Sequence, residues 1–308
     1  MDPAAGGLTA PARRPARLGV GVVGAGRVGA VLAAALAAAG HHVVAVSGSS
    51  RTTSERVGTL LPGVPVVSAY DVFERAELVL LTVPDDVLAG LVTGSAAAGV
   101  VQAGQLLVHT SGRFGVSVLD PATRLGALPL ALHPVMTFSG TITDLSRLSG
   151  AVFGVSAPQP LRPVAEALVL EMGGEPVWVA EQDRPLYHAA LAHAANHLVT
   201  LVASAADLLR LAGVGDPGRM LAPLLSAALE GALRSGDLAL TGPVSRGDAG
   251  TVATHLDQIG RVYPAGRAAY LALARLSADR ALAAGLLDPA RAEALLEVLA
   301  DHETGGPR

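Results

Sequence analysis

The sequence contains no cysteine, no lysine and few aromatic residues, which make up 3% of its 308 residues. Without cysteine the chain has no thiol nucleophile, no disulfide bond and no cysteine-ligated zinc. All 22 of its basic residues are arginine. Mechanisms that need an amine, such as a Schiff base or a lysine general acid, are therefore excluded.

The charge balance and the lack of long apolar runs exclude two kinds of partner. The 22 arginines face 26 acidic residues, which gives a net charge of −4, so the basic patch of a nucleic-acid-binding protein is not expected. No run of 18 apolar residues is uninterrupted, so no membrane partner is predicted. Residues 1–17 lack the apolar segment of a signal peptide and are expected to form a disordered leader. We therefore expect a cytoplasmic protein.

Hydrophobic residues make up 51% of the chain, and their pattern predicts an α/β protein. Between residues 18 and 181, short β-branched segments alternate with Ala- and Leu-rich segments, as in βαβ units with a parallel sheet. Several of these strands have no polar alternation, so helices should cover both faces of the sheet. The predicted strands cover residues 19–23, 43–46, 78–83, 106–109, 130–133, 151–155 and 177–179.

After residue 181 the strand pattern stops and helices separated by Gly and Pro turns follow. The longest helix is expected over residues 185–212, ended by Gly213. The sequence therefore predicts an α/β domain over residues 18–181 and an all-α domain over residues 182–308.

A glycine motif follows the first predicted strand and opens an Ala-rich helix. In this setting the first glycine allows a tight turn, the second lets the backbone approach a pyrophosphate, and the third lets the helix pack on the strand. The helix N-terminus supplies N–H donors to the phosphates. The motif predicts a Rossmann fold, a doubly wound parallel sheet that binds a dinucleotide, and its residues are Gly24, Ala25, Gly26, Arg27, Val28 and Gly29.

The end of the second strand favours NADP over NAD. NAD-binding proteins carry a carboxylate there for the ribose 2′-hydroxyl, and this chain has none. Instead Ser47, Ser49 and Arg51, with Arg27 from the glycine motif, form a candidate pocket for a 2′-phosphate. An ordinary solvated loop is the alternative.

Two further segments follow predicted strands, where ligands of open α/β sheets bind. Val83 and Pro84 are expected to shape a turn against the cofactor, and Asp85 or Asp86 to cap the next helix.

In the second of these segments, Ser111 and the backbone of Gly112 are candidates to bind a substrate carboxylate.

His133 is the main candidate for acid–base chemistry. Reduction of a carbonyl needs a proton at the oxygen, and in a chain without lysine histidine is the natural donor near neutral pH. The alternative is a half-buried histidine bonded to a backbone carbonyl before Pro134.

The helical domain adds three candidate substrate residues. His193 and Asn196 lie three residues apart on the polar side of the long helix, which faces either water or a cleft, and in the second case Asn196 would hold a substrate oxygen. Arg246 lies between two glycine-bearing turns and is a candidate clamp for an anionic substrate, or an ordinary surface residue. Asp248 is expected to be the N-cap of the following helix.

These motifs, with Tyr187-His188 and Gly242-Pro243-Val244-Ser245-Arg246-Gly247-Asp248, resemble the bacterial Rossmann-like proteins with a C-terminal domain of unknown function, number 2520. The resemblance covers residues 18 to about 299. It implies the two-domain architecture of the 6-phosphogluconate dehydrogenase and ketopantoate reductase group, which is usually dimeric.

The better-known relatives carry a helix lysine about four residues before an asparagine, where this chain has Ala192 and Asn196. Prephenate dehydrogenases are similar in placing a catalytic histidine before proline after a Rossmann strand, as in His133-Pro134.

The sequence predicts an NADP(H)-dependent oxidoreductase without a metal. Hydride would pass between the nicotinamide and a small anionic oxo or hydroxy acid, for which ketopantoate-like compounds are one candidate. An imine reductase similar to pyrroline-5-carboxylate reductase is an alternative. A second alternative is a non-catalytic protein that binds NADP as a sensor or scaffold.

Overall fold

A computed structural model describes residues 17–304 of the chain, with side chains up to residue 300. The chain divides into two compact units, Met1–His193 and Ala194–Arg308. Of the predicted leader only Arg17 is described, and its guanidinium pairs with Glu171 at 2.7 Å. Residues 1–16 lie outside the described residues.

The first unit is built on one seven-stranded sheet, and all seven predicted strands are present. Their order in the sheet is β2-β1-β3-β4-β5-β6-β7, so the chain reverses direction across the sheet between β2 and β3, as in a doubly wound fold. The strands are β1 Gly19–Val23, β2 His42–Ser47, β3 Leu78–Leu81, β4 Leu106–His109, β5 Leu128–Pro134, β6 Val152–Ser156 and β7 Glu175–Trp178.

The sheet is not parallel throughout, which corrects the prediction at one strand pair. β6 runs antiparallel to β5, and every other pair is parallel. The connection after β5 does not cross the sheet, because the Val135 N–H already bonds to the carbonyl of Val152 at 2.8 Å. The loop in between is tied by the fully buried Asp144, which accepts a hydrogen bond from the Gly140 N–H at 2.7 Å.

Helices cover both faces of this sheet, as the apolar strands predicted. Alternate strand residues face two separate cores: Leu78 and Leu80 pack into one, Val79 and Leu81 into the other. The helices are α1 Arg27–Ala38, α2 Arg51–Leu60, α3 Ala69–Arg75, α4 Asp85–Ala97, α5 Asp120–Thr123, α6 Thr143–Leu148 and α7 Arg162–Glu171.

From β7 to residue 304 only helices follow, as predicted. The long helix α8, Arg184–Leu211, passes from the first unit into the second. The second unit continues with α9 Pro217–Ser235, α10 Ala249–Val262, α11 Pro264–Ala283 and α12 Pro289–Thr304. Its own core joins α10, α11 and α12 through Val252, Leu256, Leu271, Leu295 and their neighbours.

Candidate active site

The glycine motif forms the turn between β1 and α1. Gly24 has φ +92°, a conformation that glycine adopts without strain. A Cβ at Gly29 would collide with the hydroxyl of Thr82 and the carbonyl of Gly24, so this glycine lets α1 lie directly against the strands. The first and third glycines therefore have the steric roles that the sequence predicted.

Gly26 is different, because the protein itself does not require a glycine there. The nearest atom to a Cβ at Gly26 is the carbonyl oxygen of Gly24, at an ordinary 3.8 Å. Gly26 is also the N-cap of α1, and no side chain caps the helix. The first N–H groups of α1 thus face a surface that the chain leaves open, which fits an anionic group such as a pyrophosphate.

The residues predicted for the 2′-phosphate divide into two groups. The Ser47 carbonyl accepts hydrogen bonds from the N–H groups of Gly24 and Ala25, at 3.2 and 2.8 Å, so this buried serine supports the turn. Ser49 and Arg51 are exposed, and the Arg51 guanidinium pairs with Glu55 at 2.9 Å.

A second arginine on α2 was missed by the sequence analysis. The Arg56 Nε–H donates to the Gly140 carbonyl at 3.2 Å. A Cβ at Gly140 would meet Arg56 Nε at 2.5 Å and Arg27 Cγ at 2.8 Å, so both arginines converge on this glycine. Among the described residues neither has a carboxylate within salt-bridge distance. The loop after β5 was not expected to reach α1 and α2, so the sequence offered no signal for this pairing.

Val83 lies against the glycine turn. Val83 Cγ1 is 3.1 Å from a Cβ built on Gly24. The expected capping by an aspartate is wrong, because Pro84 occupies the N-cap and α4 has no side-chain cap. Asp85 and Asp86 lie in the first turn, where their negative charges interact favourably with the positive end of the helix dipole.

The turn after β4 is organised by His109, which is fully buried. Its Nδ1 accepts a hydrogen bond from the Ser111 N–H at 3.2 Å, and its Nε2–H donates to the Gly115 carbonyl at 2.8 Å. Burial lowers the pKa of His109 from 6.5 to about 4. The Ser111 hydroxyl accepts from the N–H groups of Arg113 and Phe114, both at 3.2 Å, and its own proton is left to donate.

His133, on β5, is the centre of a small polar cluster. Its Nδ1 is 2.8 Å from the Tyr187 hydroxyl, and its ring lies edge-on to the rings of Tyr187 and His188. A Cβ at Gly112 would be 2.9 Å from His133 Nε2 and from His188 Cδ2. The structure thus brings the predicted Gly112 and His133 together with two residues that were only weakly indicated.

The imidazole of His133 is neutral at neutral pH. Burial lowers its pKa from 6.5 to about 4, and the electrostatic effects of Arg184 and His188 act in the same direction, whereas Asp85 opposes them. His133 in this state can exchange a hydrogen bond or relay a proton, but it does not store one as imidazolium.

The recess that holds the cluster is made by small residues on one face of the sheet. Ala131 and His133 of β5 pair with Ser156 and Gly154 of β6, and side chains at paired positions share a face. A Cβ at Gly154 would collide with the Tyr187 hydroxyl. The sequence analysis did not predict this recess, although small residues at alternate strand positions could have indicated it.

Arg184, the first residue of α8, is the charged residue that sequence reasoning missed. It is 1% exposed and lies beneath the cluster, with its guanidinium carbon 5.7 Å from the centre of the Tyr187 ring. The spacing of Arg184, Tyr187 and His188 places all three on one side of the first turns of α8. This spacing is visible in the sequence.

The remaining predicted residues are exposed. His193 ends the first unit, and Asn196 and Arg246 belong to the second. Their approach to His133 stays a prediction. Asp248 is the N-cap of α10, as predicted, and accepts from the Thr251 N–H at 3.1 Å.

Two further observations concern possible partners. Within residues 17–300 no group of three or more His, Asp or Glu side chains could hold a metal ion. One helical stretch, residues 181–211, is long and apolar enough to cross a membrane by length and composition, a test that core helices of soluble proteins also pass.

Three solved structures have the same fold at low sequence identity. A Bacteroides fragilis protein provisionally described as an NADP oxidoreductase is 22% identical, with a TM-score of 0.70 over 85% of this chain and 98% of that one. An imine reductase from Pseudomonas sp. is 20% identical, with a TM-score of 0.63 over 92% and 100%. Pyrroline carboxylate reductase from Plasmodium falciparum, solved with NADP bound, is 12% identical, with a TM-score of 0.55 over 86% and 97%.

The sequence itself matches two family models. Residues 4–134 match the Rossmann-like domain, and residues 151–277 match a domain of unknown function, DUF2520. No curated protein matches the sequence. The chain therefore belongs to the family that joins a Rossmann-like domain to a C-terminal DUF2520 domain.

Proposed function

We propose that this protein is an NADPH-dependent oxidoreductase that transfers hydride between the nicotinamide and a small anionic substrate. The proposal rests on one observation: the strand that precedes the open glycine turn, β1, and the strand that carries His133 of the His133–Tyr187 pair, β5, belong to the same sheet. Three strand spacings separate β1 from β5, about 14 Å at the usual distance between strands. A dinucleotide that extends across the strand ends can span this distance.

The cofactor would be held by the turn at Gly24–Gly29 together with Val83 and Pro84. The N–H groups of Arg27 and Val28, in the first turn of α1, would bind the pyrophosphate. When bound, the nicotinamide supplies or accepts the hydride.

Arginine would select NADPH over NADH. Arg27 and Arg56 converge on Gly140, so their positive charges repel each other. A phosphate bound between the two guanidinium groups would offset this repulsion. Ser47, Ser49 and Arg51 complete the proposed 2′-phosphate pocket at the end of β2.

The chain's own residues would move the proton and hold the substrate. His133 and Tyr187 share a proton between Nδ1 and the phenolic oxygen, and the pair would pass it to or from the reacting atom. Ser111 and the Gly112 backbone would bind the substrate carboxylate, with Arg246 as the clamp. Asn196 would fix the reacting oxygen, supported by His193.

The reducible group is an oxo group or an imine. An oxo acid, ketopantoate-like compounds included, needs a proton from the enzyme. The neutral state of His133 favours the imine, since an iminium ion already carries its proton, and with this substrate the His133–Tyr187 pair would orient the nitrogen by hydrogen bonding instead of protonating it. The structures of an imine reductase and a pyrroline carboxylate reductase with this fold support the same choice.

A panel of small 2-oxo acids and cyclic imines, each incubated with NADPH, tests the function. Consumption of NADPH with at least one compound is expected. NADPH binding without turnover across both panels would instead support a sensor or scaffold that binds the cofactor without using it.

We also propose a cytoplasmic homodimer. Apolar side chains on α8 and α9 are exposed in the single chain: Leu186 by 74%, Val199 by 69% and Leu233 by 81%. A second copy that covers these helices would account for the apolar character of α8 without a membrane. Light scattering of the purified protein should give twice the chain mass, and a monomer at micromolar concentration would reject the dimer.

A further inference from the structure

Arg184 is a buried cation whose hydrogen bonds all go to neutral oxygens. Its Nε–H donates to Ser156 Oγ at 2.9 Å, and one Nη group donates to the carbonyls of Ala131 and Gly154 at 3.2 and 2.9 Å. The other Nη group donates to the carbonyl of Ser111 at 3.3 Å. Within the described residues no carboxylate oxygen lies within 4 Å of this guanidinium.

Burial of a guanidinium with no carboxylate in contact is unfavourable, and Glu181 acts on Arg184 only at longer range, so the hydrogen bonds to neutral oxygens hold this side chain in place. Burial lowers the pKa of the Arg184 guanidinium, which remains charged. Four of its five N–H groups are used, and the side chain is not accessible to a substrate. A direct role as an anion clamp is therefore excluded by geometry.

The four bonds connect three separate parts of the chain to the start of α8. Ser111 belongs to the turn after β4, Ala131 precedes His133 by two residues on β5, and Gly154 is the residue paired with His133 on β6. Tyr187 follows Arg184 by one helical turn, and its ring packs on the guanidinium.

We propose that Arg184 is a positioning residue that sets the register between α8 and the strands, so that the Tyr187 hydroxyl meets Nδ1 of His133. Its role in catalysis rests on the function proposed above. Its effect on the geometry of the pair does not.

Arginine is suited to this position because its planar fork can reach four acceptors in fixed directions. Lysine keeps the charge but presents three donors from one atom. Arg184→Lys therefore keeps the positive charge but loses the planar fork of donors. Arg184→Gln loses both the charge and the fork. Arg162, which stacks on Trp178 at 4.4 Å in the same unit, supplies the matched control Arg162→Gln.

The test combines three measurements on the full-length protein: NADPH affinity by calorimetry, the imidazole nitrogen resonances of His133 by NMR across pH, and NADPH-dependent turnover. In Arg184→Gln we expect an NADPH Kd within about twofold of native, a His133 Nδ1 resonance that no longer shows the tyrosine hydrogen bond, and a loss of turnover of about 100-fold. Arg184→Lys should show the same loss of the hydrogen bond, and Arg162→Gln should match the native protein.

The His133 resonances recorded across pH give the pKa of this imidazole, which depends on the charged groups around it. The titratable groups around His133 are Tyr187, which bonds to its Nδ1, and Arg184, His188, Asp85 and His109. Loss of the Arg184 charge should raise the pKa of His133 in the glutamine variant.

Ser156→Ala is the milder variant if Arg184→Gln does not fold. It removes the acceptor of Arg184 Nε, so we expect the same changes at smaller amplitude. Native His133 resonances in a folded Arg184→Gln or Ser156→Ala protein would overturn the positioning role. A native protein without NADPH turnover would defeat the proposed function instead, while the NMR comparison would still decide the role of Arg184.

Discussion

The Tyr187 hydroxyl and His133 Nδ1 lie 2.8 Å apart, although 54 residues separate them in the sequence. The contact joins the end of β5 to the first turn of α8. Because the imidazole is neutral, the shared proton is held in a hydrogen bond, and either partner can present it to a third group.

Tyr187→Phe should lower NADPH-dependent turnover by about 100-fold, because it removes the oxygen that shares the proton with His133. The affinity for NADPH should stay within about twofold of native. Tyr270→Phe is the matched control, since Tyr270 makes the same 2.8 Å bond to His255 in the second unit. Equal turnover in the two variants would reject the role of Tyr187.

The glycines of the turn should respond differently to alanine. At Gly26 a methyl group meets only the Gly24 carbonyl at 3.8 Å, so Gly26→Ala should keep the native unfolding temperature but weaken NADPH binding by about tenfold or more. Gly29→Ala should instead lower the free energy of unfolding by about 1–3 kcal/mol, because the new methyl collides with Thr82 and Val22. Calorimetric titration and thermal unfolding of both variants check this. Normal NADPH binding by Gly26→Ala would contradict the proposed cofactor site.

Arg56→Gln should weaken NADPH binding by about tenfold and leave NADH binding unchanged, the loss expected for one charge-assisted hydrogen bond. Arg51→Gln should have a smaller effect, because the Arg51 guanidinium already pairs with Glu55 and is exposed. The measurement is the ratio of NADPH to NADH dissociation constants in the two variants. If this ratio changes more in Arg51→Gln than in Arg56→Gln, the 2′-phosphate binds at Arg51, the residue that the sequence predicted.

Acid should destabilise the native protein through His109. Its pKa is about 4 when folded against 6.5 when unfolded, so the unfolded state takes up the proton first as pH falls. The contribution is fully present above pH 6.5 and is lost between pH 6.5 and 4, at about 1.4 kcal/mol per pH unit. Denaturant unfolding of native protein and His109→Gln should show a shallower pH slope in the variant. Parallel slopes would mean that the pKa of His109 is the same in the folded and unfolded states, which would contradict the lowered pKa of the buried imidazole.

Most of the fold could be predicted from the sequence, because it follows from local patterns. The strand segments, the glycine turn and the N-cap at Asp248 depend on residues close in the chain. The antiparallel β6 did not follow, since its direction is set by how the loop after Pro134 turns back, and that loop is held by the distant contacts of Asp144.

The candidate site was predictable only in part for the same reason. His133 stood out because it lies at the end of a predicted strand, and Gly112 because it follows one, whereas the role of Arg184 depends on carbonyls of three separate segments. Arg56 was missed because its partner Gly140 lies 84 residues away in the sequence.

The proposed function depends above all on the binding of NADPH at the open glycine turn. Calorimetric titration of the native protein with NADPH and with NADH tests it most directly, with the Gly26→Ala protein as the control. We predict saturable heat with NADPH, binding at least tenfold weaker with NADH, and a weakened NADPH signal in Gly26→Ala. No heat with either nucleotide would contradict the account.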